Sequence, residues 1–144
     1  MKKNILNSRI VRNICIAACP LIMLLSSLTG CYDYPIDEDG LLITDRDQCY
    51  VSNFELLGVD FQTVRTKNAV IDTTACTIEV EVFYGTDLKQ LWPQFTLVTD
   101  AKLDPKITDW TDFSDLTNPK KWTVISGSRK VKKTYSVFIT VQKP

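Results

Sequence analysis

The sequence predicts an all-β domain, a single antiparallel β-sandwich, and three observations lead there. Two segments keep a period of two: Thr77 to Tyr84 sets Ile78, Val80, Val82 and Tyr84 against Thr77, Glu79, Glu81 and Phe83, and Thr134 to Gln142 sets Tyr135, Val137, Ile139 and Val141 against Thr134, Ser136, Phe138 and Thr140. Successive side chains of a strand point to opposite faces, so each segment has one apolar face to bury. Helical signal is nearly absent; its one candidate is a single turn at Asp87 to Leu91, with Asp87 as cap and Trp92-Pro93 as stop. Short β-branched runs separated by turn signals complete the pattern of a sandwich.

The chain opens on a targeting pattern. Lys2, Lys3, Arg9 and Arg12 form a basic start with no acid before Cys31, and Ile14 to Leu25 is apolar. That run is broken by Pro20 and falls short of the roughly 20 apolar residues that cross a bilayer, so residues 1–30 read as a cleaved signal. Leu28-Thr29-Gly30-Cys31 resembles the lipobox of bacterial lipoproteins, whose processing acylates the thiol and cuts just before it. Cys31 is the expected lipidation site. Each buried CH₂ adds about 0.8 kcal/mol, so two or three acyl chains hold firmly, and the protein is expected to be anchored in the membrane rather than to span it. The acids close behind Cys31 resemble the export signals of Bacteroidetes lipoproteins, and that resemblance implies a surface-exposed outer-membrane lipoprotein of the cell envelope.

Charge changes once the signal is removed. The 17 bases balance 17 acids, but four bases precede Cys31, which leaves 13 against 17. Removing residues 1–30 of 144 leaves 114, enough for one core and too few for two. Eight acids lie between Asp33 and Asp60 with Arg46 as the sole base, and six bases lie between Lys120 and Lys133 with no acid. Such runs ordinarily mark solvated faces.

Residues 31–48 read as a lipidated tether. Pro35, Gly40 and seven charged side chains break up Tyr32 to Gln48, leaving Leu41-Leu42-Ile43 as an apolar island fit for a short edge strand. Asp37-Glu38-Asp39-Gly40 invites a calcium-loop reading, which fails on spacing. With Gly40 at the sixth position, Pro35 would be the first ligand and Arg46 the last. Proline has no ligand side chain and arginine repels the ion.

The sandwich is expected over residues 49–144. Weaker strands are read at Tyr50 to Leu57, Asn68 to Asp72 and Gln94 to Val98, while Trp122 to Ser126 and Thr134 to Gln142 form a closing hairpin across Gly127-Ser128. Asp100 to Lys120, rich in Asp, Thr and Pro, is the longest irregular stretch, and long loops in compact domains are more often functional than accidental.

A family resemblance lies in the order of several short motifs. Ser52-Asn53-Phe54, Val70-Ile71-Asp72, Ile78-Glu79-Val80, Gly85-Thr86-Asp87-Leu88 with Leu91 and Pro93, Asp112-Phe113-Ser114, Trp122-Thr123-Val124 and Tyr135-Ser136-Val137 follow one another. Together they resemble the Ig-like or cadherin-like β-sandwich domains of unknown function in Bacteroidetes lipoproteins. The resemblance covers nearly all of Cys49 to Gln142 and implies an Ig-like domain that accompanies polysaccharide uptake as a spacer or glycan-binding module. The closing hairpin departs from it: many relatives turn through an acidic sequence, whereas Ser126-Gly127-Ser128-Arg129-Lys130 is basic.

Chemistry narrows the function further. The chain has no histidine, so Ser/His and Cys/His catalysis and the usual zinc sites are excluded. No cofactor or metal is expected, and the chain is read as a non-enzyme. Asp109, Asp112 and Asp115 recur at threes in the long loop; such carboxylates flank glycosidic bonds or bind calcium, but Asp is also a preferred turn residue. Trp110 among them is the candidate for stacking on a sugar ring, with packing as the competing role for it, and for Trp92 and Trp122 more so. Arg129, Lys130, Lys132 and Lys133 form a candidate docking surface for acidic headgroups, acidic glycans or an acidic protein. Nucleic acid is an unsuitable partner for an anchored exported protein. Cys49 and Cys76 would close a loop worth on the order of 3–4 kcal/mol if bridged. A first strand paired directly with Thr77 to Tyr84 would hold them roughly 20 Å apart; a different strand order could bring them together, and two separately buried thiols are the expected state. The favoured expectation is an anchored, noncatalytic Ig-like accessory module serving polysaccharide capture. The alternative is a direct glycan-binding protein using Trp110 and its neighbouring Asp residues, which requires Trp110 exposed in a groove with carboxylates.

Overall fold

The computed structural model describes residues 35–144. The targeting segment and Cys31 lie outside the described residues. Seven strands follow one another: β1 (Val51–Leu57), β2 (Val70–Asp72), β3 (Thr77–Val82), β4 (Trp92–Leu97), β5 (Lys102–Asp104), β6 (Lys120–Ile125) and β7 (Lys132–Val141), with no helix among the described residues. β1 and β4 make a two-stranded antiparallel sheet, and the other five make a sheet in the order β2-β3-β7-β6-β5.

The two strongly alternating segments lie side by side in the larger sheet. Ile78, Val80 and Val82 of β3 sit level with Val137, Ile139 and Val141 of β7, all on the inner face. This pair runs parallel, where a wholly antiparallel sandwich was expected. β4 leaves for the other sheet between them, so the chain returns to the larger sheet by a long route, as a parallel pair requires. Opposite them β1 contributes Val51, Phe54 and Leu56, and Phe54 meets Phe95 of β4 edge to face at 4.8 Å. Trp122 of β6, 6% exposed, stands between Phe95 and Phe113.

A short segment seals one side of the sandwich. The Val64 N–H donates to Leu56 O of β1 at 3.0 Å, and the Phe83 N–H donates to Val64 O at 3.0 Å, so residue 64 bridges the two sheets. The Arg65 guanidinium donates to Phe54 O at 2.7 Å and pairs with Glu55.

Four departures from the sequence expectation have local causes. β3 stops at Val82 because Gly85, at φ 84°, turns the chain, which leaves Tyr84 67% exposed instead of inside. No helical turn forms at Asp87; its Oδ1 accepts the Lys89 N–H at 3.0 Å and makes a side-chain turn. The long irregular stretch holds a strand, β5, which pairs with β6 on the edge. The apolar island joins no sheet: Leu42 bridges Ile36, and residues 35–43 close into their own small hairpin through Asp37 to Gly40, with Gly40 at φ 73°.

Cys49 and Cys76 are unbridged. β1 pairs with β4 and not with β3, and Cys49 is buried with its Sγ donating to Val124 O at 3.1 Å. Burial pushes this thiol above its ordinary range.

Candidate functional site

Three aromatic rings gather where β1 ends and β4 begins. Leu57 and Trp92 are opposite each other in the register, and Gly58 starts a tight loop directly after β1. The Gly58 N–H donates to Gln62 O and the Phe61 N–H to Gly58 O, both at 2.9 Å, while Asp60 Oδ1 accepts the Gln62 N–H. The loop forces Phe61 to φ 57°, a left-handed conformation that a bulky residue rarely adopts. Its ring is held outward, 61% exposed, beside Val59 at 59%. Trp110 arrives from the long loop. Its position is set by the bridge between Leu91 and Thr111, whose N–H groups donate to each other's carbonyls at 3.2 and 2.8 Å, and by Asp109 Oδ1, which accepts the Trp110 N–H at 2.7 Å. The half-buried Trp110 ring lies 5.4 Å from Phe61, tilted by 50°, and 5.6 Å from Trp92, nearly perpendicular at 76°. Beyond Trp92, an open groove of about 280 Å³ runs between β4 and β5, past Gln94, Leu103 and Ile107 to Lys102 and Lys106.

The acidic neighbours proposed from the sequence are exposed and engaged in turns. Asp109 is spent on the Trp110 backbone, and Asp112 Oδ1 accepts the Ser114 N–H at 2.8 Å. Asp115 Oδ1 accepts the Thr117 N–H at 3.0 Å and the Thr117 hydroxyl at 2.6 Å, while its Oδ2 accepts the Asn118 amide at 2.8 Å. Those Thr117 and Asn118 bonds hold the Asp115 carboxyl down to about 2, and Ser114 holds Asp112 below its ordinary value. Among the described residues no group of three or more acids and cysteines is arranged to hold a metal ion. The three Asp residues build the loop that presents Trp110.

The basic candidates are also divided. Lys130 and Lys132 are exposed, and Lys133 Nζ donates to Thr73 O at 3.3 Å. Arg129 turns inward instead, onto the segment expected to be a free tether. Its Nε donates to Asp37 Oδ2 at 2.9 Å, and its other nitrogens donate to the carbonyls of Leu42, Asp100 and Ser126. Lys102 of β5 lies beside it with Nζ at 2.8 Å from Asp37 and 2.7 Å from Asp39, and Lys106 reaches Asp39 at 2.8 Å. Lys102, with lesser contributions from two backbone N–H groups and Arg129, holds the Asp37 carboxyl far below its ordinary range; Asp37 and Asp39 in turn raise Lys102.

The sequence singled out Trp110, and Trp92 with packing as its stronger role; Phe61 and the Asp37–Lys102–Arg129 cluster were not read as a site. The available signal for Phe61 was an aromatic residue inside a Gly-Val-Asp-Phe turn. For the charge cluster it was a run of acids matched by bases 65 and 92 residues after Asp37, which only the fold brings together.

The structure thus defines a β-sandwich that carries an aromatic cluster at one end and a charged clamp at the other. The chain belongs to the family described as SGBP, N-terminal, whose model matches residues 58–139. Among solved structures it is similar to a candidate glycoside hydrolase from Bacteroides thetaiotaomicron, at 28% identity and a TM-score of 0.55, over 67% of this chain and 26% of that one. A DUF4623 family protein from Bacteroides eggerthii matches at 19% identity and a TM-score of 0.48, over 67% of this chain and 22% of that one. A candidate secreted protein from Bacteroides fragilis matches at 13% and 0.45, over 67% of this chain and 97% of that one. The chain spans about a quarter of the length of the first of these. No curated protein matches.

Proposed function

We propose that this protein is a noncatalytic module of the cell envelope, lipidated at Cys31 and displayed at the outer surface, that serves polysaccharide capture through the rings of Phe61, Trp110 and Trp92. The observation that carries this reading is Phe61. Beyond one tilted contact with Trp110, the left-handed backbone at Phe61 holds a large apolar ring in water, and such features belong to contact surfaces. Aromatic faces suit the C–H faces of sugar rings, and the exposed Gln94 and Gln62 beside the cluster supply hydrogen bonds to hydroxyls. Family membership and the glycoside-hydrolase description of the first neighbour support the same substrate class. A noncatalytic role is supported by the lack of histidine and by the engagement of Asp109, Asp112 and Asp115 in turns.

The exposed pair Val59 and Phe61 favours a second reading, a small apolar knob that docks on another envelope protein. Tryptophan fluorescence separates the two. Against a panel of neutral and acidic polysaccharides, the capture reading expects a saturable change that is lost in Trp110→Ala, with buried Trp122 as an internal reference. No change with any polysaccharide would leave the docking reading.

A further inference from the structure

We propose that residues 35–47 are a fixed mount rather than a leash: an ionic clamp closes this segment onto β5 and the β6–β7 turn, so the free chain behind Cys31 is short and enters the domain at the end opposite its aromatic cluster.

Three kinds of contact seat the segment. Asp37 and Asp39 are gripped by Lys102, Lys106 and Arg129 at 2.7 to 2.9 Å, with the side chains of Asp37, Lys102 and Arg129 only 8, 11 and 15% exposed. Glu38, Asp104 and Lys132 flank the clamp, in the clefts on either side. Backbone bonds follow it: the Thr44 N–H donates to Gly127 O at 3.0 Å, and the Ser128 N–H donates to Arg46 O at 2.9 Å. Close packing completes it. A Cβ on Gly127 would collide with the Thr44 hydroxyl and come within 2.8 Å of Asp100 Cβ, so the chain can pass there only over glycine. Arg129 itself sits at φ 64°, which turns its side chain back under the hairpin.

The clamp's chemistry suits registration more than stability. Partly desolvated ion pairs recover little net free energy, but they tolerate few alternative arrangements because each displaced charge is left unpaired. The same contacts fix where the chain enters the domain. Cys49 reaches Val124 close to the end of β6, so β1 starts near the β6–β7 turn and runs about 20 Å away from it to the aromatic cluster. Pro35 is four residues from Cys31, a reach of at most about 14 Å, whereas a loose chain from Cys31 to Gln48 would reach about 60 Å. The mounting of the domain on a membrane rests on the reading of Cys31 as the anchor; the clamp does not. Both of its backbone partners in the chain's early part, Thr44 and Arg46, lie outside the span 58–139 that the family model matches.

Amide hydrogen exchange on the full chain tests the clamp. The Thr44 and Ser128 amides are expected to be protected together, and to exchange about tenfold or more faster in Arg129→Gln and in Gly127→Ala, with Val80 and Val137 unchanged as a check on folding. Unprotected Thr44 in the wild type, or protection that survives both substitutions, would overturn the proposal. Flotation with phosphatidylethanolamine–phosphatidylglycerol vesicles, wild type against Cys31→Ser, reports the anchor separately. Neutron reflectometry of the floated protein on a supported bilayer of that composition should show a thin, sharp layer that broadens in Arg129→Gln; a layer equally broad in both would contradict a fixed mount.

Discussion

At the end of the sandwich where β1 stops, Phe61, Trp110 and Trp92 lie partly in water, with Trp110 tilted against Phe61 and edge-on to Trp92. At the end where β6 turns into β7, charged groups lie partly out of water and touch their opposites. Each arrangement inverts what folding alone would select, since apolar rings ordinarily go inside and charges outside. The clamp satisfies its inversion internally, because nearly every donor it buries has an acceptor within the chain. The aromatic cluster leaves its inversion unsatisfied. On the proposed reading, the end whose chemistry is complete is the joint and the end whose chemistry is incomplete is the contact surface.

Substitutions should separate the two ends from the core between them. Trp122→Ala, which removes a ring packed against both Phe95 and Phe113, should cost about 3–5 kcal/mol in urea unfolding. Phe61→Ala, the same kind of truncation at the exposed end, should stay within about 0.5 kcal/mol of wild type. A large loss for Phe61→Ala would mean that the ring is structural after all.

Acid should open the clamp while leaving the rings in place. The folded chain holds the Asp37 and Asp39 carboxyls below their ordinary value of 3.8, so they bind protons more weakly than in the unfolded chain. Their contribution is complete above about pH 5 and is lost as the pH falls below 4. Lys102 is raised above 10.5, so its contribution persists through neutral pH and fades only in strong base. The protection factor of the Thr44 amide, corrected for the intrinsic slowing of exchange in acid, should therefore fall progressively below pH 4 with no matching change in tryptophan emission. Salt should act in the same direction and more weakly, because at 1 M the screening length falls to about 3 Å but partly buried pairs are shielded less than exposed ones. The smallest effect belongs to Lys130→Ala. An exposed lysine outside the clamp should change neither stability nor Thr44 exchange by more than about 0.5 kcal/mol.

What the sequence revealed follows from where each signal is local. The alternation in β3 and β7 is local, and Ile78, Val80, Val82, Tyr135, Val137 and Ile139 all lie in the core. Turn chemistry is local too, and the competing role for Asp109, Asp112 and Asp115 as turn residues is the one the structure displays. Sheet pairing is not local. Nothing near Thr77 states that its strand will lie parallel to one beginning at Lys132, and β5, three residues long, is a strand only because β6 lies beside it. The same limit hid the clamp: Asp37 read as part of a solvated acidic run until the fold carried Lys102 and Arg129 to it. Trp110 stood out by residue type, whereas Phe61 acquired its meaning from a backbone angle.

Isothermal titration of a neutral oligosaccharide into the wild type, Phe61→Ala and Gly127→Ala tests the division of labour between the two ends most directly. The wild type and Gly127→Ala should bind alike, and Phe61→Ala should lose about tenfold or more in affinity. Equal binding by Phe61→Ala and the wild type, or loss of binding in Gly127→Ala alone, would contradict it.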